Sequence, residues 1–164
     1  MIERLAAEIS LLVLDVDGVM TDGRIYLDGR GEETKVFDVK DGYGLSRLMR
    51  AGVEVALITG RSSLAVARRA EELGIDEVHQ GVADKGVLLD ELLRTRGLEQ
   101  KEVCCMGDDL PDLPLLNRAG LAVAVADAAA EVRAAATLIT KSKGGRGAVR
   151  EVCEMILAAR ERWP

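Results

Sequence analysis

The run Leu11-Leu12-Val13-Leu14-Asp15-Val16-Asp17-Gly18 constrains this chain more than any other stretch. Four consecutive aliphatic residues describe a strand buried on both faces, and the run stops where two carboxylates flank a single valine. Burying a carboxylate is costly. Two of them at the carboxyl end of a core strand therefore mark a site, at the edge where open α/β sheets hold their ligands. Gly18 lets the chain turn away there. If the strand continues, Asp15 and Asp17 share a face; if it breaks at Asp17, that residue presents its carbonyl instead. Either arrangement offers hard oxygen ligands to a small divalent cation, Mg²⁺ foremost. A solvated acidic turn is the plain alternative. A calcium loop fits less well, because Val19 stands where the third ligand of an Asp-x-Asp-x-Asp-Gly pattern belongs.

After this turn the hydrophobic period alternates between strand and helix. An amphipathic lead spans 2–9, and a β-hairpin is expected at about 24–37, around Asp28-Gly29-Arg30-Gly31. Strands are predicted at 11–14, 53–58, 77–79, 103–106, 121–125 and 137–140. Helices are predicted at 41–51, 64–73, 84–96, 113–118 and 128–135, with a tail at 141–164 whose helix runs through Arg160. Such alternation argues for an α/β fold with a mainly parallel sheet between two helical layers. Aromatic residues make up only 2% of a chain that is 48% apolar, so its core must be built from Leu, Val, Ala and Ile.

The net charge of -6 argues against a nucleic-acid partner, which would call for clustered Lys and Arg. No stretch approaches a membrane span, and no leader is expected ahead of Asp15. Cys104, Cys105 and Cys153 have no metal-ligand spacing, and an odd count suits a reducing cytoplasm. The first two read as small apolar strand residues.

Right-handed crossovers would gather the strand-to-helix loops, and with them Asp15, Asp17, Thr59, Lys85 and Asp108, on one rim. At about 4 Å and an effective dielectric near 20, each pair of like charges costs roughly 4 kcal/mol, so that much acid needs a cation. Mg²⁺ with Lys85 would admit a phosphate dianion, and phosphoryl transfer is then the natural chemistry. On this reading Asp15 is the nucleophile that forms an aspartyl-phosphate. Asp17 is the acid for the leaving alkoxide and the base for water, Thr59 hydrogen-bonds the phosphoryl oxygens, and Asp15, Asp17 and Asp108 hold the metal.

Four segments in order, Asp15-Val-Asp17-Gly-Val-Met-Thr21-Asp22-Gly, Ile-Thr59-Gly60-Arg61, Lys85 and Gly107-Asp108-Asp109-Leu-Pro-Asp112, resemble the motifs of the haloacid dehalogenase superfamily of phosphatases. The resemblance implies a Rossmann-like three-layer fold over 1–164, a nucleophilic first aspartate and Mg²⁺. Lys40-Asp41-Gly42-Tyr43-Gly44, Gln80-Gly81-x-x-Asp84-Lys85 and Gly144-Gly145-Arg146-Gly147 are similar to a narrower branch without a large cap domain, which dephosphorylates an eight-carbon sugar acid on the route to lipopolysaccharide. Here the segment between Asp17 and Thr59 leaves room for only a hairpin and one helix.

That branch implies a homo-oligomer, a tetramer, in which the hairpin is a subunit contact and hairpin and tail help to enclose neighbouring sites. It also implies substrate contacts from Gly60, Arg61 and Arg146, with a guanidinium suited to the sugar acid's carboxylate. Asp109 and Asp112 are read as orienting Lys85 or the metal ligands, Asp22 and Asp41 as caps, and His79 as structural. Two alternatives stay open. One is the same chemistry on a nine-carbon acid, against which Arg61 argues, since an acidic residue tends to follow Gly60 in that branch. The other is a non-catalytic oligomerisation module, which would be expected to lack one of the catalytic carboxylates or the lysine.

Overall fold

In the computed structural model, which describes residues 1–164, the chain opens with α1 (Ile2–Glu8) and enters β1 (Leu11–Leu14), buried along its whole length. The hairpin follows as β2 (Tyr26–Leu27) and β3 (Glu33–Thr34), an antiparallel pair outside the main sheet. Its strands are shorter than the flanks suggested, because most of its residues are exposed and have no sheet to extend.

Then come α2 (Val39–Arg50), β4 (Glu54–Ile58), α3 (Leu64–Leu73), β5 (Glu77–His79) and α4 (Lys85–Arg96). The chain continues through β6 (Val103–Gly107), a 3-10 turn at Leu110–Asp112, α5 (Leu113–Leu116), β7 (Leu121–Ala124), α6 (Ala130–Ala135), β8 (Leu138–Ile139) and α7 (Ala148–Ala159). Several boundaries are set by caps. Asp38 accepts from the Lys40 and Asp41 amides, so α2 starts before Asp41. Ser63 caps α3 and Asp84 caps α4, while Gly74 and Gly97 end those helices in the left-handed conformation.

Six strands form one parallel sheet in the order β5-β4-β1-β6-β7-β8. The chain works outward from β1 to β5, crosses over, and works outward again from β6 to β8. The switch point therefore lies between β1 and β6, where open α/β sheets leave a crevice at the carboxyl ends of the strands. Leu14 pairs with Met106, and the Asp15 amide donates to the Met106 carbonyl at 3.2 Å, so the acidic segments after β1 and β6 emerge side by side.

The largest fully buried side chains are all aliphatic or Met, among them Leu11, Leu12, Leu14, Ile58, Met106 and Leu121. Cys104, Cys105 and Cys153 are free and buried among them, and burial pushes their thiols up. The expected tail is no loose extension. Helix α7 packs on α1 and α2 and buries Val149, Val152, Ile156 and Leu157, each contributing roughly 1.5–3 kcal/mol.

Candidate active site

Asp15 follows the last residue of β1 and is buried, with the backbone already turning. Val16 accepts from the Val19, Met20 and Thr21 amides, and Thr21 Oγ1 accepts from the Gly18 and Gly23 amides at 3.3 and 3.2 Å, which closes the loop on itself. Gly18 has φ +91°, and a Cβ there would collide with the Asp108 carboxylate. Only glycine lets the two loops approach this closely.

Lys85, the first residue of α4, is buried and donates from Nζ to Asp15 Oδ1 at 2.8 Å and to Asp112 Oδ1 at 2.7 Å. The other Asp112 oxygen accepts from the Asp108 amide at 2.9 Å, so Asp112 ties the lysine to the loop after β6. Burial pulls the Lys85 ammonium down, but Asp15 and Asp112 outweigh it and hold its pKa above the usual lysine value. For Asp15, burial and then Asp112 push the carboxyl up against the opposing pull of Lys85. Asp108 is driven up by burial and by the charges of Asp15 and Asp112.

Carboxylate oxygens of Asp15, Asp108 and Asp112 lie within 4.8 Å of one another. Three acids face one ammonium, leaving an excess of negative charge inside a partly dry pocket. An all-oxygen donor set with this excess fits Mg²⁺.

Of the expected metal set of Asp15, Asp17 and Asp108, the structure gathers the carboxylates of Asp15 and Asp108 but not that of Asp17. β1 ends at Leu14, so the alternation that would have put both side chains on one face stops before Asp17. The Asp17 carboxylate instead pairs with Lys35, from the segment just after β3, and Asp112 takes the third place in the cluster. The Asp17 carbonyl carries no intramolecular hydrogen bond.

Asp15, Asp17, Thr59, Gly60, Arg61, Lys85, Asp108, Asp109 and Asp112 all line one cavity of about 330 Å³. Thr59 is buried at the end of β4, its amide held by the His79 carbonyl. Arg61 stands at the rim, its side chain 48% exposed and 2.7 Å from Glu33 Oε2.

Two of the expected site residues have other surroundings within the single chain. Asp109 contacts neither Lys85 nor the cluster through its carboxylate; it caps the following turn by accepting from the Leu110 amide at 2.8 Å. Arg146 is exposed and does not line the cavity. Its glycine-rich turn reaches the site through backbone instead: the Gly145 amide donates to Val19 at 2.9 Å, and a Cβ on Gly144 would collide with the Gly18 carbonyl.

Other acids have local roles. Asp22 accepts from the Arg24 amide, and Asp41 caps the start of α7 by accepting from the Arg150 amide at 2.8 Å rather than capping its own helix. His79 pairs with Glu77 on the edge strand, away from the cavity.

Sequence reasoning passed over Lys35 and Glu33. Lys35 Nζ reaches the Asp17 carboxylate and lies 2.6 Å from Glu33 Oε1. The only signal was Glu33 and Lys35 at a strand's two-residue spacing, in a hairpin with no evident inner face.

A family model for haloacid dehalogenase-like hydrolases matches residues 77–152. The chain is 49% identical over 157 residues to the 3-deoxy-D-manno-octulosonate 8-phosphate phosphatase KdsC of Yersinia pestis, covering 96% of this chain and 84% of that protein. It is 46% identical over 154 residues to the same enzyme of Escherichia coli K12, covering 94% and 82% of the two chains. The crystal structure of the Yersinia pestis phosphatase superposes with a TM-score of 0.96 at 48% identity, over 98% of this chain and 87% of that one. The phosphatase of Moraxella catarrhalis, solved with magnesium ion, phosphate ion and KDO, superposes with a TM-score of 0.94 at 46% identity, over 96% and 91%.

Proposed function

The chain belongs to the haloacid dehalogenase-like hydrolases, and from that premise we propose that it is a Mg²⁺-dependent phosphatase releasing phosphate from 3-deoxy-D-manno-octulosonate 8-phosphate. The observation that carries this reading is the meeting of Asp15, Asp108, Asp112 and Lys85 in one cavity beside Thr59 and Arg61. The similarity to phosphatases of that substrate along nearly the whole chain supports the choice of sugar acid.

Asp15 is the nucleophile. Lys85 keeps it anionic and aimed, because an ammonium hydrogen-bonded to one oxygen leaves the other free to attack phosphorus. The P–O bond to the sugar breaks as the aspartyl-phosphate forms. Asp17 gives a proton to the departing alkoxide, then takes one from the water that cleaves the acyl phosphate. The Thr59 hydroxyl donates to a phosphoryl oxygen, and the Arg61 guanidinium receives the substrate's carboxylate. Asp15, Asp108 and the Asp17 carbonyl would hold a Mg²⁺, which when bound would supply the positive charge that lets a phosphate dianion approach a carboxylate. Asp112 holds Lys85 in register with the loop after β6.

The same reading makes 1–164 one catalytic domain acting as a homotetramer in the cytoplasm. Ile25, Tyr26, Leu27, Val36 and Val39 are exposed on or beside the hairpin, an apolar surface suited to a second copy of the chain. Three free buried cysteines suit a reducing compartment.

The test is a hydrolysis panel with Mg²⁺ or chelator, comparing eight- and nine-carbon sugar-acid phosphates with simple esters. The expected result is Mg²⁺-dependent phosphate release, fastest on the eight-carbon acid. Preference for a nine-carbon acid would replace the substrate, and no release from any ester would leave the non-catalytic alternative.

A further inference from the structure

Lys35 belongs to none of the four motif segments, yet its side chain is only 1% exposed while Val36 beside it is 59% exposed. Along this part of the hairpin, Glu33, Lys35 and Phe37 are shielded and Thr34 and Val36 are exposed, the two-residue alternation of an extended chain with one covered face. Burying an ammonium is unfavourable unless it is paired. A surface hairpin has little to gain from doing so for its own sake.

The partners explain the arrangement. Lys35 Nζ meets the Asp17 carboxylate on one side and Glu33 Oε1, 2.6 Å away, on the other. The second Glu33 oxygen accepts from Arg61 Nη2 at 2.7 Å. Asp17, Lys35, Glu33 and Arg61 thus form a chain of alternating charge, and its two ends line the same cavity.

We propose that Lys35 is a positioning residue for Asp17, and that Glu33 fixes Arg61 relative to that pair, so that the hairpin sets the span between the acid serving the leaving oxygen and the guanidinium receiving the substrate's carboxylate. This rests on the roles given above to Asp17 and Arg61. It makes the hairpin a specificity element: a sugar acid is accepted when the distance from its phosphoester oxygen to its carboxylate matches the span. Arg61 has donors to spare beyond the one given to Glu33, so Glu33 orients the guanidinium without consuming it.

The experiment uses the full chain with Mg²⁺ and two substrates, the eight-carbon sugar-acid phosphate and 4-nitrophenyl phosphate, which has no carboxylate. A displaced Asp17 costs rate rather than binding, and its role as base for the water that cleaves the aspartyl-phosphate is common to both substrates, although 4-nitrophenolate departs without an acid. Lys35→Met should therefore lower kcat roughly 10- to 100-fold on both substrates with KM little changed, and Lys35→Arg should recover most of the loss. Glu33→Gln should raise KM for the sugar-acid phosphate roughly 3- to 10-fold, more than for the ester. Wild-type kcat in a folded Lys35→Met protein, or equal shifts on both substrates in Glu33→Gln, overturns the proposal. If Lys35→Met does not fold, Lys35→Arg and Glu33→Gln carry the test, and a Glu33→Gln protein with no substrate-dependent difference in KM overturns it. Failure of the substrate reading is distinguishable: the unaltered protein then cleaves the ester but not the sugar-acid phosphate, while the ester kcat of Lys35→Met still reports on Lys35.

Discussion

Lys85 Nζ lies 2.8 Å from Asp15 Oδ1, although 70 residues separate the two in the chain. The start of α4 and the end of β1 meet because both open onto the carboxyl edge of one parallel sheet. The pair is nearly dry, and Asp112 completes it from a third segment. Lys85→Met should leave these acids buried without their cation. A loss of about 3–5 kcal/mol is expected in urea unfolding with chelator, partly recovered by Mg²⁺, together with a collapse of kcat. Unchanged stability in chelator would show that the acids do not depend on the lysine.

Asp15→Asn keeps the shape of the side chain and an oxygen for Lys85 but removes the nucleophile. Phosphate release should be abolished, while the thermal midpoint in chelator stays at or above that of the parent, because one of three mutually repelling acids is gone. Phosphate assays beside thermal melts check both halves. Retained turnover would remove Asp15 from its role.

At Gly18 the obstacle is steric. Alanine would meet the Asp108 carboxylate at φ +91°, a backbone conformation that costs a side-chain-bearing residue about 1–2 kcal/mol before any clash. Gly18→Ala should raise the Mg²⁺ concentration needed for half-maximal activity and lower the thermal midpoint. An unshifted Mg²⁺ titration would mean that this approach of the loops does not shape the metal site.

Burial raises the Asp41 carboxyl from its ordinary 3.8 to about 6, against the pull of the Arg150 amide. A carboxyl whose pKa is higher in the folded state contributes stability that is complete below about 3.8 and is lost as pH rises through about 6. In Mg²⁺, Asp41 should therefore account for a decline of up to roughly 3 kcal/mol across that window. Asp41→Asn, which can still accept from the Arg150 amide, should flatten the decline and be the more stable protein above pH 7. Denaturant unfolding from pH 4 to 8 measures it, and parallel curves for the two proteins would refute it.

Leu27 and Val36 are 64% and 59% exposed on or beside the hairpin. If the chain forms the proposed homotetramer, replacing both with Asp should dissociate it in sedimentation velocity runs, because burying a carboxylate against apolar surface is strongly disfavoured. An unchanged sedimentation coefficient would take the hairpin out of the interface.

Much of the frame can be read in the chain itself. The short apolar runs before Asp15 and Asp108, each ending abruptly in acid, read as buried strands. Their alternation with helices implied a parallel sheet, and right-handed crossovers then placed Asp15, Thr59, Lys85 and Asp108 on one rim. These are consequences of local period and chirality, which depend on neighbouring residues alone. The helix starts near 64 and 84 were legible for the same reason, and the structure closes them through Ser63 and Asp84 in contacts between residues two or three apart.

Local period left open whether Asp17 turns its carboxylate or its carbonyl to the site, and whether Asp112 meets Lys85 or a metal ligand. Which carboxylate joins the cluster depends on where β1 stops and how the 3-10 turn after β6 folds back, and neither leaves a periodic trace. Around Arg146 a glycine-rich turn signals close approach without saying whether backbone or side chain arrives; within the single chain Gly144 and Gly145 make the approach. Lys35 and Glu33 were passed over because their partners Asp17 and Arg61 lie 18 and 28 residues away in the chain. The sequence by itself determined the sheet, the order of its segments and the rim on which the acids gather, because hydrophobic period and strand handedness act locally. Only the tertiary structure decided which carboxylate faces which cation, because that pairing is set by charges brought together from distant segments, where a few ångströms of approach separate a buried ion pair from a solvated side chain.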